Sequence, residues 1–250
     1  MEEDKYYQNI QKALEDLPDN FSILEERIDI EVQMKYFEYT KEAARQENAE
    51  DSFEKREELF DDSVDEERKK EILTAIAVYD DVKAYRMLEK FVKESEGLLK
   101  QWGILALQES RMLMQSSLLD EQQVFISTGL GGKGKKLRYF VVFLSEDQEE
   151  LLSDTQQKLL KDELIFELKK HEGIFESMDF MEGFSSTLIM LPLNVEVKSV
   201  FQNVINECNQ YGGFLQEDLI ITNVKVLSRG EIIQLIHQKK SEKNDELDDE

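Results

Sequence analysis

The chain has 250 residues, of which 40% are hydrophobic and 34% are charged, and its formal net charge is −24. This length allows one large domain or two small ones, and the negative charge opposes long-range attraction to nucleic acid or anionic membranes. A single cysteine, Cys208, excludes an internal disulfide, and no apolar run is long enough for a membrane span. We therefore predict a cytoplasmic protein without membrane contact.

The first predicted elements are helices. Apolar residues at helical spacing predict a helix over residues 6–17, and Ser22 with Glu25 forms the capping-box pattern of a second helix. Residues 28–36 fit both the alternation of a strand and a helical stripe, and the intervening polar residues favour a helix. Residues 47–67 contain eleven acidic residues against Lys55 and Arg56, a composition typical of a linker or a surface helix.

Three more helices with short connections are predicted between residues 66 and 115. Their sequence "DDVKAYRMLEKFVKESEGLLKQWGILALQESRML" carries the pattern D-x-x-A-x-x-x-L followed by L-x-x-W/A-x-x-x-A-L. This pattern resembles one unit of the HEAT and armadillo-like helical repeats. The resemblance implies a helical surface that binds another protein, and it implies no reaction.

The pattern changes to strands after Gln122. The runs "QVFIST" and "LRYFVVFLS" predict a hairpin around a glycine-rich loop. From residue 137 to 228 the predicted order is βαββαβ, which resembles the ferredoxin-like split βαβ arrangement. Ser228 and Glu231 then form the cap of a final helix.

The predicted fold class is α+β, with an N-terminal all-helical, HEAT-like region followed by a ferredoxin-like α/β sandwich with an added hairpin strand. The predicted parts are N-terminal helices (1–46), an acidic linker or surface helix (47–67), a HEAT-like unit (68–120), a ferredoxin-like domain (121–240) and a disordered acidic tail (241–250).

The loop "GLGGKGKK", residues 129–136, contains four of the 11 glycines. It matches the start of a nucleotide-binding P-loop, but Lys136 occupies the Ser/Thr position and a strand follows, so that type of site is excluded. Residues 122–145 carry four positive charges and no acid. We therefore predict a partner- or phosphate-binding loop, the alternative being a mobile hairpin tip with solubilising lysines. The predicted binding residues are Gly129, Gly131, Gly132, Lys133, Gly134, Lys135, Lys136 and Arg138.

No catalytic residue, metal ligand or cofactor is predicted. Cys208 continues the apolar stripe of its helix and is expected in the core, and His171 and His237 each lack a metal-ligand motif. An enzyme is consequently the least favoured class.

The leading hypothesis is a non-enzymatic cytoplasmic interaction or adaptor protein that docks onto another protein through its helical surface and the basic loop. The first alternative is an RNA- or ribosome-associated factor that uses the same loop, and the second is a small-molecule-binding regulatory protein. Phe140 and Phe143 match the end of an RNA-recognition strand motif, although Leu137 stands at its glycine position, which favours a core role. The acidic segments 47–67 and 241–250 are hypothesised to cover the loop when no partner is bound.

Overall fold

A computed structural model describes residues 21–43, 49–120 and 124–248. The elements of the first half are, in chain order, β1 (Phe21–Ile23), α1 (Ile30–Ala43), α2 (Ala49–Glu54), a 3-10 helix (Arg56–Phe60), α3 (Glu66–Ala77), α4 (Val82–Glu94) and α5 (Gly97–Leu119). Those of the second half are β2 (Val124–Ile126), β3 (Gly132–Lys133), β4 (Lys136–Ser145), α6 (Asp154–Lys170), β5 (Ile174–Met181), β6 (Phe184–Pro192), α7 (Val197–Asn209), β7 (Leu215–Thr222) and α8 (Arg229–Asp248). The predicted α+β class is confirmed, and the predicted helix over residues 6–17 lies outside the described residues.

Short polar side chains determine where several helices begin. The carboxylate of Asp65 accepts the N–H of Arg68 at 2.8 Å, which caps α3. The sequence predicts that residues 28–36 are helical and not a strand, and residues 30–36 lie in helix α1. The capping box predicted at Ser22 is wrong, because Ser22 lies in strand β1 and the helix starts eight residues after it, at Ile30.

The helices of the first half share one apolar core, and Trp102 lies at its centre with 4% of its surface exposed. Its indole N–H donates to the Thr74 hydroxyl at 3.2 Å, and its ring packs edge-on against Tyr36 and Tyr39. The Tyr36 hydroxyl donates in turn to the carboxylate of Glu109 on α5. The surrounding helices partly enclose the Glu109 carboxyl, and this burial raises its pKa.

The HEAT-like interpretation of this region is wrong. Asp29 donates its backbone N–H to the side chain of Gln101, and Tyr36 contacts Glu109, so α1 runs parallel to α5. A HEAT-type array stacks helical hairpins in one direction and leaves their ends open for the next repeat. Here α1 packs on both α3 and α5, so the helices described between residues 30 and 119 enclose a single core.

Part of the acidic stretch 47–67 packs against this core. Residues 49–60 form α2 and the 3-10 helix, and Leu59 is 2% exposed. Glu58 accepts a hydrogen bond from the Arg68 guanidinium at 3.2 Å, which attaches the segment to α3. Residues 49–60 therefore pack against the helical region. The domain boundaries predicted from the sequence stay a prediction.

The second half forms an antiparallel sheet in the order β5-β6-β4-β7, with β3 added beside β4. Its connectivity is βαββαβ, so the ferredoxin-like pattern is confirmed. One face packs on α6 and α7, where Phe143 meets Phe201 edge-on at 5.8 Å. The other face is covered by Leu130 and by Ile232 of α8.

The predicted hairpin between residues 122–128 and β4 is wrong. Strand β2 pairs in parallel with β1, with Phe21 opposite Val124 and Ile23 opposite Ile126. The hairpin that exists is shorter, because β3 pairs with β4 through Lys133 and Lys136 and turns at residues 134–135. Strands β1 and β2 instead join the helical region to the sheet.

No helix within residues 21–43, 49–120 and 124–248 is both long and apolar enough to cross a membrane.

The cap of α8 predicts a dependence of stability on pH. Glu231 accepts hydrogen bonds from Lys225 and from the backbone and hydroxyl of Ser228, which lowers the pKa of its carboxyl to about 2. A lowered folded-state pKa stabilises the fold above the ordinary carboxyl pKa, and this contribution disappears as pH falls from about 4.5 to about 2. We expect Glu231→Gln to lower the thermal midpoint at pH 7 and to lower it much less at pH 2.5, where most of this contribution has been lost. An equal loss at both pH values would contradict this assignment.

Candidate functional site

The first four residues of the glycine-rich loop, Gly129 to Gly132, are buried. A Cβ atom at Gly129 would lie 1.7 Å from the carbonyl oxygen of Val224, and one at Gly131 would lie 2.5 Å from that of Glu26. Gly131 also has a φ of +65°, which side-chain-bearing residues rarely adopt. These glycines therefore permit three backbone segments to approach one another closely.

Backbone hydrogen bonds hold this crossing in place. Leu130 donates to the carbonyl of Asn223 at 3.0 Å, and Gly131 accepts the N–H of Arg138 at 2.9 Å. On the helical side, the buried amide of Gln33 donates to the carbonyl of Thr128 at 3.2 Å. The loop is consequently where the helical region, strand β4 and the segment after β7 meet.

Arg138 belongs to this internal structure. Its guanidinium binds both carboxylate oxygens of Glu176, at 2.6 and 3.0 Å, and donates to the carbonyl of Leu130 at 2.6 Å. Only 11% of its side chain is exposed. Arg27 lies 3.8 Å from the same carboxylate, so both guanidinium groups share one acid. Arg138 therefore links the loop to strand β5 and offers little charge to solvent.

The hairpin tip is the accessible part of the predicted binding loop. Lys133, Gly134 and Lys135 are exposed, and the Lys135 ammonium lies 5.2 Å from the centre of the Phe21 ring. The N–H of Gly134 points to a carboxylate oxygen of Glu25 at 3.4 Å. Of the eight predicted residues, these three reach solvent most fully.

A second group of lysines lies at the same end of the sheet. Lys136 donates to the carbonyl of Glu172 at 2.5 Å, and Glu172 follows two residues after Lys170 at the end of α6. This bond brings the start of β4 next to the carboxyl end of α6. We use the name lysine cluster for the lysines of these two segments: Lys133, Lys135, Lys136, Lys169 and Lys170.

The acid beside this cluster is already engaged. Glu167, 5% exposed, accepts hydrogen bonds from Lys170 at 2.6 Å and Asn203 at 3.1 Å, and it lies 3.5 Å from His171. Burial by itself would raise the pKa of the Glu167 carboxyl, but these hydrogen bonds and nearby positive charges outweigh it and lower that pKa. Glu167 therefore stays ionised and holds the end of α6 against α7.

The sequence did not predict that the lysines at the end of α6 belong with those of the glycine-rich loop. Its only signal was the pair Lys169–Lys170 before His171 at a helix end, which is also the ordinary placement of cations near a helix carboxyl terminus. The contact between Lys136 and Glu172 joins residues 36 positions apart, and no local pattern specifies it.

Cys208 lies fully buried between α7 and the sheet, where the sequence placed it. Burial, with smaller contributions from the charges of Glu163 and Glu207, raises the pKa of its thiol to about 12. A thiol with this pKa is protonated near neutral pH and does not act as a nucleophile there. Within the described part of the chain, no three His, Cys, Asp or Glu residues are grouped to hold a metal ion.

Phe140 and Phe143 of β4, the aromatic residues of the RNA-recognition pattern, form no stacking surface. Phe140 is 4% exposed against α8, and Phe143 is fully buried against α7. Recognition of unpaired bases requires aromatic faces that are open to solvent. The core role that the sequence favoured for these residues matches their burial.

Comparison with known proteins gives few matches. No family model matches the chain, and no curated protein matches it. Among solved structures, it is similar to a protein described as a transposase of Deinococcus radiodurans R1, at 15% identity and a TM-score of 0.36, covering 41% of this chain and 90% of that one. It is also similar to a REP-associated tyrosine transposase bound to a REP hairpin, at 11% identity and a TM-score of 0.32, covering 36% of this chain and 57% of that one.

The predicted adaptor function is corrected by these observations. The docking loop of that hypothesis is largely internal, since Gly129 to Gly132 are buried and Arg138 is paired. No finding supports the predicted protein partner. Binding at the predicted site residues stays a prediction. Of these residues, Lys133, Gly134 and Lys135 are the ones exposed enough to contact a partner.

Proposed function

We propose that the ferredoxin-like half of this chain binds duplex DNA through the phosphate backbone, using the lysine cluster. The observation that carries the proposal is the bond from Lys136 to the carbonyl of Glu172, which joins the start of β4, directly after the hairpin tip, to the residues that follow α6. Phosphate contacts from lysine supply most of the non-specific affinity of DNA-binding proteins. The proposal keeps the predicted cytoplasmic location. The free thiol of Cys208 supports it, because cytosolic proteins rarely form disulfides.

Local charge supports this site in spite of the net charge of −24. Two of the nearby acids, Glu167 and Glu176, are each bound by cations. The acids Glu25 and Glu172 are exposed, and Lys133, Lys135 and Lys169 also expose their side chains, which leaves a local excess of positive charge. The strongly acidic loop that follows β4, residues 146–150, lies at the other end of a ten-residue strand, about 30 Å away. Physiological salt screens charges beyond about 8 Å. The negative charge of residues 146–150 therefore does not weaken the attraction between the lysine cluster and DNA.

Duplex DNA is favoured because Phe140 and Phe143 of β4 are buried. Proteins that bind single strands stack bases on exposed aromatic rings, and Phe140 and Phe143 are enclosed on opposite faces of the sheet. Lysine contacts without a stacking platform fit the regular array of phosphates on a duplex. The proposal concerns binding and includes no strand cleavage.

The test is a salt titration of DNA binding. Three exposed lysines that each contact a phosphate give a slope of about −2.7 in log K against log salt, which is about a 40-fold loss of affinity between 50 and 200 mM salt. The variant Lys133→Gln/Lys135→Gln/Lys169→Gln should remove most of this slope. Fluorescence anisotropy with a labelled hairpin duplex measures both quantities.

The matched control is Lys55→Gln/Lys83→Gln/Lys93→Gln, which makes the same change in net charge at exposed positions of the helical region. It should bind as the unchanged protein does. Equal losses in the two triple variants would refute the lysine cluster as the site. Tighter binding of single-stranded RNA than of the duplex would refute DNA as the ligand.

A further inference from the structure

Glu25 occupies the position where the hairpin tip would receive a phosphate. The Gly134 N–H, at the exposed turn of β3 and β4, points to a Glu25 carboxylate oxygen at 3.4 Å. Gly134 has a φ of +60°, and exposed lysines flank it on both sides. A turned backbone N–H between two lysines is a common arrangement for anion binding. In this structure the anion beside it is a side chain of the same molecule.

Glu25 is held near the tip by its own backbone. A Cβ atom on Gly131 would lie between 2.5 and 2.9 Å from the carbonyl oxygens of Leu24, Glu25 and Glu26, so this segment packs directly on the buried glycine. Arg27, two residues further on, lies 3.8 Å from the carboxylate of Glu176 on the sheet. The segment is therefore anchored on both sides of the Glu25 side chain, which itself is exposed.

We infer that Glu25 is an intramolecular competitor for the phosphate-binding tip, so that DNA must displace its carboxylate from the Gly134 N–H and the adjacent lysines. This inference rests on the proposed function and assigns one acid of the chain to the regulation of that site. It differs from the sequence hypothesis, in which residues 47–67 and 241–250 cover the loop. Residues 49–60 instead pack on the helical core.

The competition has a predictable size. Two unit charges about 5 Å apart in water interact by less than 1 kcal/mol, which corresponds to an affinity change of about three- to fivefold. Salt screens such exposed charges, so the effect should be largest at low salt and should fade above about 300 mM.

The test compares Glu25→Gln with Glu26→Gln in the full chain by fluorescence anisotropy, using the same labelled hairpin duplex at 50 mM salt. Both variants remove one negative charge from exposed neighbouring residues, but only Glu25 makes a described contact with the tip. We expect Glu25→Gln to bind about fourfold more tightly than Glu26→Gln. The Gly134 amide resonance should also shift in free Glu25→Gln and not in free Glu26→Gln.

The outcomes separate the two proposals. Equal affinities of Glu25→Gln and Glu26→Gln, with binding still lost in the triple lysine variant, overturn the role of Glu25 and leave the DNA site intact. Absence of duplex binding by the unchanged chain and by Glu25→Gln overturns the proposed function and, with it, this inference. Stronger binding in Glu25→Gln that the lysine substitutions then abolish supports both.

Discussion

Gly131→Ala is expected to lower the free energy of unfolding by about 3 kcal/mol. The new methyl group would lie 2.5 Å from the carbonyl oxygen of Glu26 and within 2.9 Å of that of Leu24, which are backbone atoms that cannot move independently. The φ of +65° adds the strain that a Cβ atom brings in the left-handed region. For a chain of this size the loss corresponds to a fall in Tm of about 9 °C. Chemical denaturation monitored by circular dichroism measures it.

Gly230→Ala is the matched control for this experiment. Its added Cβ atom would meet nothing within 4 Å, and the residue lies in the first turn of α8. Alanine is favoured over glycine in a helix, so stability should stay equal or rise slightly. Equal denaturation midpoints for Gly131→Ala and the unchanged protein would show that the loop is not packed against residues 24–26.

Arg138→Met is expected to cost about 3 kcal/mol of unfolding free energy. The guanidinium binds both oxygens of Glu176 and the carbonyl of Leu130, and only 11% of the side chain is exposed. Methionine preserves much of the packing volume but leaves the Leu130 carbonyl without this donor and Glu176 with only the more distant Arg27. Arg138→Lys should recover part of the loss, because an ammonium group keeps the charge without the two-pronged geometry.

Arg229→Met provides the comparison on the surface. Arg229 lies 3.2 Å from Glu182, but 58% and 65% of these two side chains are exposed, so the pair should contribute less than about 1 kcal/mol. A double-mutant cycle between Arg138 and Glu176 isolates the coupling energy of this pair, in which 11% and 24% of the side chains are exposed. Equal destabilisation by Arg138→Met and Arg229→Met would contradict the structural role of Arg138.

Gly131→Ala and Arg138→Met test a structural part of the basic loop that differs from its exposed lysines. Gly131 and Arg138 serve the junction between the helical region and the sheet, whereas Lys133 and Lys135 remain accessible at the tip. Variants of the first kind should lose stability, and variants of the second kind should lose DNA affinity while keeping their stability. A binding experiment on this chain therefore requires a stability measurement on each variant.

Local patterns in the sequence determined much of the second half. The βαββαβ order follows from alternating apolar runs and helical stripes, and the cap of α8 follows from Ser228 and Glu231. Cys208 falls on the apolar stripe of α7, and its burial follows from that position. These features depend on residues within a few positions of one another, which is the range over which helix and strand periodicity acts.

Only the tertiary structure decided the role of the loop and the arrangement of the helices. Glycine and lysine in sequence are equally consistent with a mobile tip and with a close crossing of backbones, and what distinguishes them here is the position of Val224 and Glu26. The parallel placement of α1 on α5 likewise depends on contacts between residues more than 70 positions apart. Such contacts are set by packing of the whole chain, because no local preference specifies which distant segment fills a given space.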